Sequence, residues 1–426
     1  MEVYLDNSAT TKCYDEVGEL VRKIMCEDYG NPSSLHLKGI EAERYLKKAA
    51  EDIGNILKVD SKEIIFTSGG TESDNLAIIG GAKANYRAGK HIITTEMEHP
   101  AVENSMKFLE EEGFEITYLP VDKAGIVNLQ SLRDALRPDT ILVSIVHVNN
   151  EIGSVQPLEL VGKIVKEYNS KILIHSDGVQ GFGKLLAYPK KWKIDMYSVS
   201  GHKIHGPKGV GLLYKEKTAK ILPLSFGGNQ QKGLRSGTDN VPGVVGLGLA
   251  AKMMYQDLEH KQKRLFELKR YFIERLLEIE NVYINGFNSD VGTVCQHDGV
   301  GGDVNADAST SVNADAQKSM AVNGNMNLLD INKSVPHIIS AAFKGISSEV
   351  LLHALEEKGI YVSSGSACSS YSKKKSNTLV AIGAPKEYQE STIRFSMSEF
   401  TTKEEIDYTL ETLYNSVPVL RRFIRK

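Results

Sequence analysis

Between Glu63 and Tyr214 short apolar runs alternate with amphipathic ones, and this alternation constrains the fold more than any other feature of the chain. Strands are expected at Glu63–Thr67, His91–Thr95, Glu115–Leu119, Ile141–His147, Lys171–Ser176, Met196–Val199 and Val210–Tyr214, with helices over Leu76–Asn85, Val102–Glu111 and Leu158–Tyr168. Strands that take turns with helices must pack helices on both faces of one sheet. The expectation is therefore an α/β fold with a large, mostly parallel, covered sheet.

Downstream, Val241 to Glu280 reads as helix over some forty residues with a break, long enough to bridge a large domain to a small one. Val282–Asn285, His337–Phe343 and Ile360–Ser363 read as strands, and Ser348–Glu357 and Thr402–Tyr414 as helices, the pattern of a second, smaller α/β domain. We place the large domain at 14–255 and the small one at 1–13 plus 256–426. Residues 290–332 break the style. Val304-Asn305-Ala306-Asp307-Ala308 returns at once as Val312-Asn313-Ala314-Asp315-Ala316, and aromatic side chains are missing. Such a stretch buries too little apolar surface to offset its ordering entropy, so it is expected to be a low-complexity surface insertion.

Against this frame a few residues stand out. Ser198-Val199-Ser200-Gly201-His202-Lys203 ends an apolar strand in small polar residues and a lysine. A lysine so placed can form a Schiff base with an aldehyde cofactor, while Ser200 and His202 suit a phosphate. Asp177 closes the strand before it; a carboxylate there would keep the ring nitrogen of pyridoxal phosphate (PLP) protonated, its alternative being a helix cap. Thr67-Ser68-Gly69-Gly70-Thr71 joins a strand to a helix start, where bare amides bind phosphate or simply cap the helix. Walker and dinucleotide motifs are lacking there. His99 could stack on a flat ring, and Asn150 and Gln180 could bond its phenolic oxygen. Arg394, in Thr392-Ile393-Arg394-Phe395-Ser396, can grip a carboxylate or form a surface ion pair. Cys368, in Ser363-Ser364-Gly365-Ser366-Ala367-Cys368, sits among small residues and is presented rather than packed away.

Composition narrows the class. A formal net charge of −3 gives no general pull toward nucleic acid or an anionic membrane. The four cysteines, Cys13, Cys26, Cys295 and Cys368, form no CxxC pair and match no zinc spacing, which fits the reducing cytoplasm. Neither a signal peptide nor a membrane span is expected. The basic end, Leu420-Arg421-Arg422-Phe423-Ile424-Arg425-Lys426, reads as a solvated helix terminus.

Taken in order, Tyr4–Thr11, Gly30-Asn31-Pro32, Thr67–Asn75, Glu98-His99, Val148–Gly153, Ser200–Lys203, Arg235–Thr238 and Ser363–Cys368 resemble cysteine desulfurases of the NifS/IscS type, in the class-V aminotransferase family. The resemblance spans nearly the whole chain. It implies a fold-type I PLP-dependent transferase that works as a homodimer on L-cysteine, giving alanine and a persulfide. It assigns Lys203 to the cofactor aldehyde, Asp177 to the ring nitrogen and His99 to the ring face. Gly70, Thr71, Ser200 and His202 would hold the phosphate, with Thr238 reaching the phosphate of the other subunit. Asn31 and Arg394 would take the substrate carboxylate. Cys368 would be the nucleophile that passes sulfur to an acceptor, an iron–sulfur scaffold or a tRNA-thiolation enzyme. No intrinsic metal is implied, beyond a transient iron–sulfur contact of Cys368 with a scaffold. Selenocysteine lyase or another PLP lyase of the same fold remains the enzymatic alternative, and a sulfur carrier or scaffold the non-enzymatic one. The chain departs from the family at Gly70, where alanine is frequent, at Gly227-Gly228-Asn229-Gln230-Gln231-Lys232, and in the 290–332 insertion.

Overall fold

The computed structural model describes residues 1–287, 331, 333–364 and 376–423. Cys295, Cys368 and all of the 290–332 segment except Ile331 lie outside the described residues. The chain opens with β1 (Val3–Tyr4), α1 (Asp15–Cys26) and α2 (Leu37–Leu57). The alternating region then runs β2 (Ile64–Thr67), α3 (Gly70–Asn85), β3 (His91–Thr95), α4 (Pro100–Glu111), β4 (Glu115–Leu119), α5 (Leu129–Ala135), β5 (Thr140–Ser144), α6 (Leu158–Tyr168), β6 (Leu173–Asp177), β7 (Met196–Ser200) and β8 (Gly211–Lys215). Two helices follow, α7 (Val241–Tyr255) and α8 (Leu258–Leu276). The remainder is β9 (Val282–Ile284), β10 (Ile338–Phe343), α9 (Ser348–Glu356), β11 (Ile360–Tyr361), β12 (Ser363–Ser364), α10 (Asn377–Ala381), α11 (Lys386–Gln389), β13 (Thr392–Ser396) and α12 (Lys403–Arg422).

All seven strands expected in the alternating region form one sheet, in the order β2-β8-β7-β6-β5-β3-β4. Only β8 runs against the rest, pairing antiparallel with both β2 and β7. The other six strands therefore end on the same edge of the sheet. Their side chains alternate between two covered faces. Ile92 packs with Val102, Met106 and Leu109 beneath α3 and α4, whereas its neighbour Ile93 packs with Val161 and Val165 of α6.

The sequence reading passed over α1, α2 and α5. In α2 the buried face is Gly39, Ala42, Ala49, Ile53, Gly54 and Leu57, mostly small residues, so its apolar stripe is thin. Helix α3 begins six residues earlier than its apolar stripe, at Gly70 rather than Leu76. The long helix after Val241 breaks at Asp257, whose φ of 54° is left-handed, and so divides into α7 and α8. Helix α7 is apolar almost all round and is buried between α1 and α2.

The second core gathers Phe272, Ile273 and Leu276 of α8, Ile339 and Phe343 of β10, Ile393 and Phe395 of β13, and Leu410 and Leu413 of α12. Its sheet is antiparallel, in the order β12-β13-β10-β9. Val3 and Leu5 join this core while β1 pairs with β11, so the N-terminus folds against the C-terminal part of the chain. Ile331 is fully buried there as well. The far edge of the surface insertion, set at 332, is thus too late by at least one apolar residue, because Ile331 has a core to enter. No helix among the described residues is long and apolar enough to cross a membrane.

Candidate active site

The shared strand edge collects the loops after β2, β3, β5, β6 and β7. Those loops hold most of the residues singled out above, as expected where parallel strands end over a crevice.

Lys203 follows β7 in a single 3-10 turn, Gly201–Lys203. Its Nζ donates to the carbonyls of Ser8 at 2.6 Å and Ala9 at 2.8 Å. The same Ser8 carbonyl accepts from Gln180 Nε2 at 2.9 Å, so Lys203 and Gln180 meet on one oxygen. The N-terminal segment is clamped along this turn by Thr11, which donates from its hydroxyl to the His202 carbonyl at 2.9 Å and receives the His205 amide at 2.7 Å. His202 itself sits 3.2 Å from the Thr10 hydroxyl. Burial, with Lys203 beside it, pushes its imidazole down to about 4, so the ring is neutral at pH 7.

Asp177 ends β6, buried, with one carboxylate oxygen accepting from the Val179 amide at 2.9 Å. Burial raises its carboxyl above the ordinary range, and the carboxylate of Asp74 on α3 adds to the rise. Ligand atoms of Asp74, His99 and Asp177 all lie within 4.8 Å of one another. His99 caps α4, where its Nδ1 accepts the Ala101 amide at 3.1 Å, so the ring proton belongs on Nε2. His175, two residues before Asp177 and hence on the same strand face, lies 3.4 Å from Asp74 Oδ1 and 3.0 Å from the Ser198 hydroxyl.

The turn into α3 forms the opposite wall. Gly69 has φ 155° and ψ −175°, a conformation open in practice only to glycine. The backbone here approaches so closely that a Cβ on Gly211 would fall 2.6 Å from Gly69 Cα, while one on Gly69 would lie 3.7 Å from Ser200 Oγ. The start of α3 thus comes up beside Ser200, with Val179 Cγ2 packed against Gly70. Glu72 ties this turn down by accepting the Ser68 amide at 2.6 Å and Arg235 Nε at 2.9 Å.

Other residues stand apart from this cluster. Arg394, on β13, is buried rather than part of a surface ion pair. It donates to Asp6 Oδ1 and to the Asn150 carbonyl, both at 2.9 Å. Its neighbours Ile393 and Phe395 fill the second core, so alternation turns Arg394 back toward the large sheet. Asn150 makes that contact through its backbone. Asn31 is exposed in a turn, its Oδ1 accepting the Ser33 amide at 2.9 Å. Thr71 and Thr238 are also exposed. Cys13 and Cys26 are free thiols.

Residue-by-residue reading had missed Asp6, Ser8, Ala9, Asp74 and His175. The Tyr4–Thr11 stretch had been noticed only as part of a resemblance, because backbone carbonyls leave no mark in a sequence. Asp74 carried a faint signal: four residues beyond Gly70 in a helix, it shares that residue's face.

The family model for class-V aminotransferases matches residues 3–298 and 300–409. A cysteine desulfurase IscS from Dictyoglomus turgidum is 41% identical over 421 residues, covering 99% of this chain and 95% of the relative. A homonymous protein from Methanosarcina thermophila is 41% identical over 419 residues, 98% of this chain and 93% of its own. Among solved structures, a NifS-like protein superposes with a TM-score of 0.84 at 35% identity, over 99% of this chain and 100% of that one. With likeness at this level along nearly its whole length, the chain belongs to the class-V aminotransferase family and, within it, to the cysteine desulfurases.

Proposed function

We propose that the cleft over the strand edge holds PLP and that the protein uses it to move sulfur from L-cysteine to Cys368. The observation that carries this reading is the grouping of Asp177, His99 and Asp74 within 4.8 Å, with Lys203 sharing the Ser8 carbonyl with Gln180, three residues beyond Asp177. The donor set fits the group. Asp74 and Asp177 are buried acids to which a protonated ring nitrogen would bring a cation, and Asp74 Oδ1 has no hydrogen-bond partner. His99 offers a ring face. Ser200, His202, Gly70 and Thr71 supply donors for a phosphate at the positive end of a helix.

Bound there, PLP supplies an electron sink for the charge left when the substrate Cα loses its proton. The chain's own groups do the rest. Lys203 would hold the cofactor's aldehyde and would serve as the base that moves the substrate Cα proton. Arg394 and Asn31 would orient the substrate carboxylate, and Gln180 and Asn150 would bond the cofactor's phenolic oxygen. The thiolate of Cys368 attacks the substrate sulfur. The new S–S bond forms as the C–S bond breaks, and the C–S electron pair stays on Cβ, which takes a proton to become the methyl of alanine. Thiol plus cysteine becomes persulfide plus alanine, so no outside oxidant or reductant is needed. The persulfide then passes to an acceptor protein, an iron–sulfur scaffold or a tRNA-thiolation enzyme, in the reducing cytoplasm.

Thr238 is assigned to the phosphate of a second subunit. A homodimer is supported by Leu35, Leu37 and Phe226, which are 96%, 83% and 86% exposed and lie close in sequence to Asn31 and Thr238. The test of the whole reading is Cys368→Ser, which should keep PLP and its spectrum yet release no sulfide or alanine from cysteine. Persulfide trapped on Cys13 or Cys26 of the wild type, with none on Cys368, would overturn it.

A further inference from the structure

The acid that contacts the ring nitrogen in the proposed function is Asp177, but it is not alone. Asp74, on the second turn of α3, is 1% exposed, and its Oδ1 lacks any hydrogen-bond partner. Its nearest cationic candidate is His175 Nε2, at 3.4 Å, a nitrogen already engaged by the Ser198 hydroxyl at 3.0 Å. The carboxylate oxygens of Asp74 and Asp177 and a ring nitrogen of His99 share a space no wider than 4.8 Å. A third buried acid, Glu98, stands close by, its carboxyl pushed up to about 8 by burial although Thr95 and the Val146 amide donate to it at 2.7 and 3.0 Å. An unpartnered carboxylate buried at this depth is costly unless a positive charge or a shared proton comes with it. The helix that carries Asp74 also supplies the bare amides beside Ser200, so the residue is fixed to the same rigid element as one wall of the cleft.

We infer that Asp74 is a positioning residue whose negative charge, set behind Asp177 and beside His175, raises the proton affinity of whatever nitrogen base Asp177 faces. This rests on the assignment of Asp177 to the cofactor ring nitrogen. Two carboxylates this close cannot both be ionised cheaply. A cation brought by the ring nitrogen would relieve the repulsion between them. The groups that set the balance are Asp74, Asp177, Glu98, His99, His175 and, from the N-terminal side, Lys203. The role differs from direct contact: Asp177 touches the ring nitrogen, whereas Asp74 acts through Asp177 and His175.

The test uses the holoenzyme loaded with PLP labelled with nitrogen-15 in the ring, because the ring-nitrogen shift reports its protonation independently of turnover. Asp74→Asn is isosteric and should fold and take up PLP stoichiometrically. Its ring nitrogen should lose its proton at a pH lower by about one unit, and kcat should fall roughly ten-fold with KM little changed. In the cofactor-free form, the carbon-13 carboxyl titration of Asp177 should move to lower pH in the same variant. Asp177→Asn is the control, and should abolish the ring-nitrogen proton altogether. If Asp177→Asn leaves the nitrogen signal unchanged, the cofactor assignment itself fails. If Asp177→Asn acts as expected and Asp74→Asn shifts neither signal, the inference about Asp74 alone is overturned. Should Asp74→Asn not fold, Asp74→Ser carries the same two readouts.

Discussion

Gly70 offers the sharpest test of how tightly the α3 turn is built. Alanine is frequent at this position in the family, and alanine in a helix is ordinarily favoured over glycine by at most about 1 kcal/mol. Here a Cβ on residue 70 would lie 2.6 Å from Val179 Cγ2, with Ser200 Cβ at 3.7 Å behind it. An ordinary carbon contact is near 3.6 Å, so one partner must move by roughly 1 Å. Val179 is stiff about χ1 and continues the segment that begins at Asp177, whose carboxylate accepts the Val179 amide. Relief by rotation is therefore poor, and relief by backbone shift displaces the acid. Overpacking of this kind costs about 1–3 kcal/mol and outweighs the helix gain. Gly70→Ala should weaken PLP binding about ten-fold, equivalent to about 1.4 kcal/mol, in an absorbance titration of cofactor-free protein. Val179→Ala in the same chain removes the obstructing methyl and should recover affinity to within about two-fold. The coupling between the two sites should then be about 1 kcal/mol or more. Unchanged or tighter PLP binding by Gly70→Ala alone would refute the reasoning.

Lys203→Ala should lose the linkage that borohydride fixes between PLP and the protein, seen as loss of the cofactor-modified peptide by mass spectrometry; a fixed linkage on another lysine would reassign the role. Lys269 of α8 is fully buried, donating to the Ser334 hydroxyl and the Val335 carbonyl at 2.7 Å each, and burial pushes its ammonium from 10.5 down to about 7. The unfolded chain therefore binds more protons between pH 7 and 10.5, so stability rises with pH across that window and the penalty is full below pH 7. The 3.5-unit difference caps that penalty at about 5 kcal/mol. Lys269→Met should be the more stable protein in urea melts at pH 6, with the gap closing toward pH 10; a less stable variant at pH 6 would contradict this.

The sequence by itself determined the elements of the large sheet. Each strand from Glu63 to Tyr214 is a short apolar run bounded by polar turns, and such a pattern acts within a few residues. For the same reason Asp177 and Lys203 stood out: Asp177 closes an apolar strand and Lys203 follows one in the next turn, where a charged side chain has no reason to be unless it faces an open edge. Helix α2 escaped because small residues make up most of its buried face, whereas α1 offered an ordinary apolar stripe through Val17 and Ile24 that the reading passed over. Period and composition could not supply the order of the strands. That order inserts antiparallel β8 between β2 and β7 and so brings the Gly69–Gly70 turn up to Ser200, some 130 residues away in the chain. Nor could they supply the Ser8 and Ala9 carbonyls on Lys203, at separations of 195 and 194 residues, or Asp6 on Arg394, at 388. Contacts of that range depend on which apolar faces cover one another once the chain has collapsed. Val3 and Leu5 enter the second core, and in doing so draw the N-terminal backbone across the cleft. Tertiary packing alone therefore decided which oxygens hold the lysine and which acid comes within 4.8 Å of Asp177.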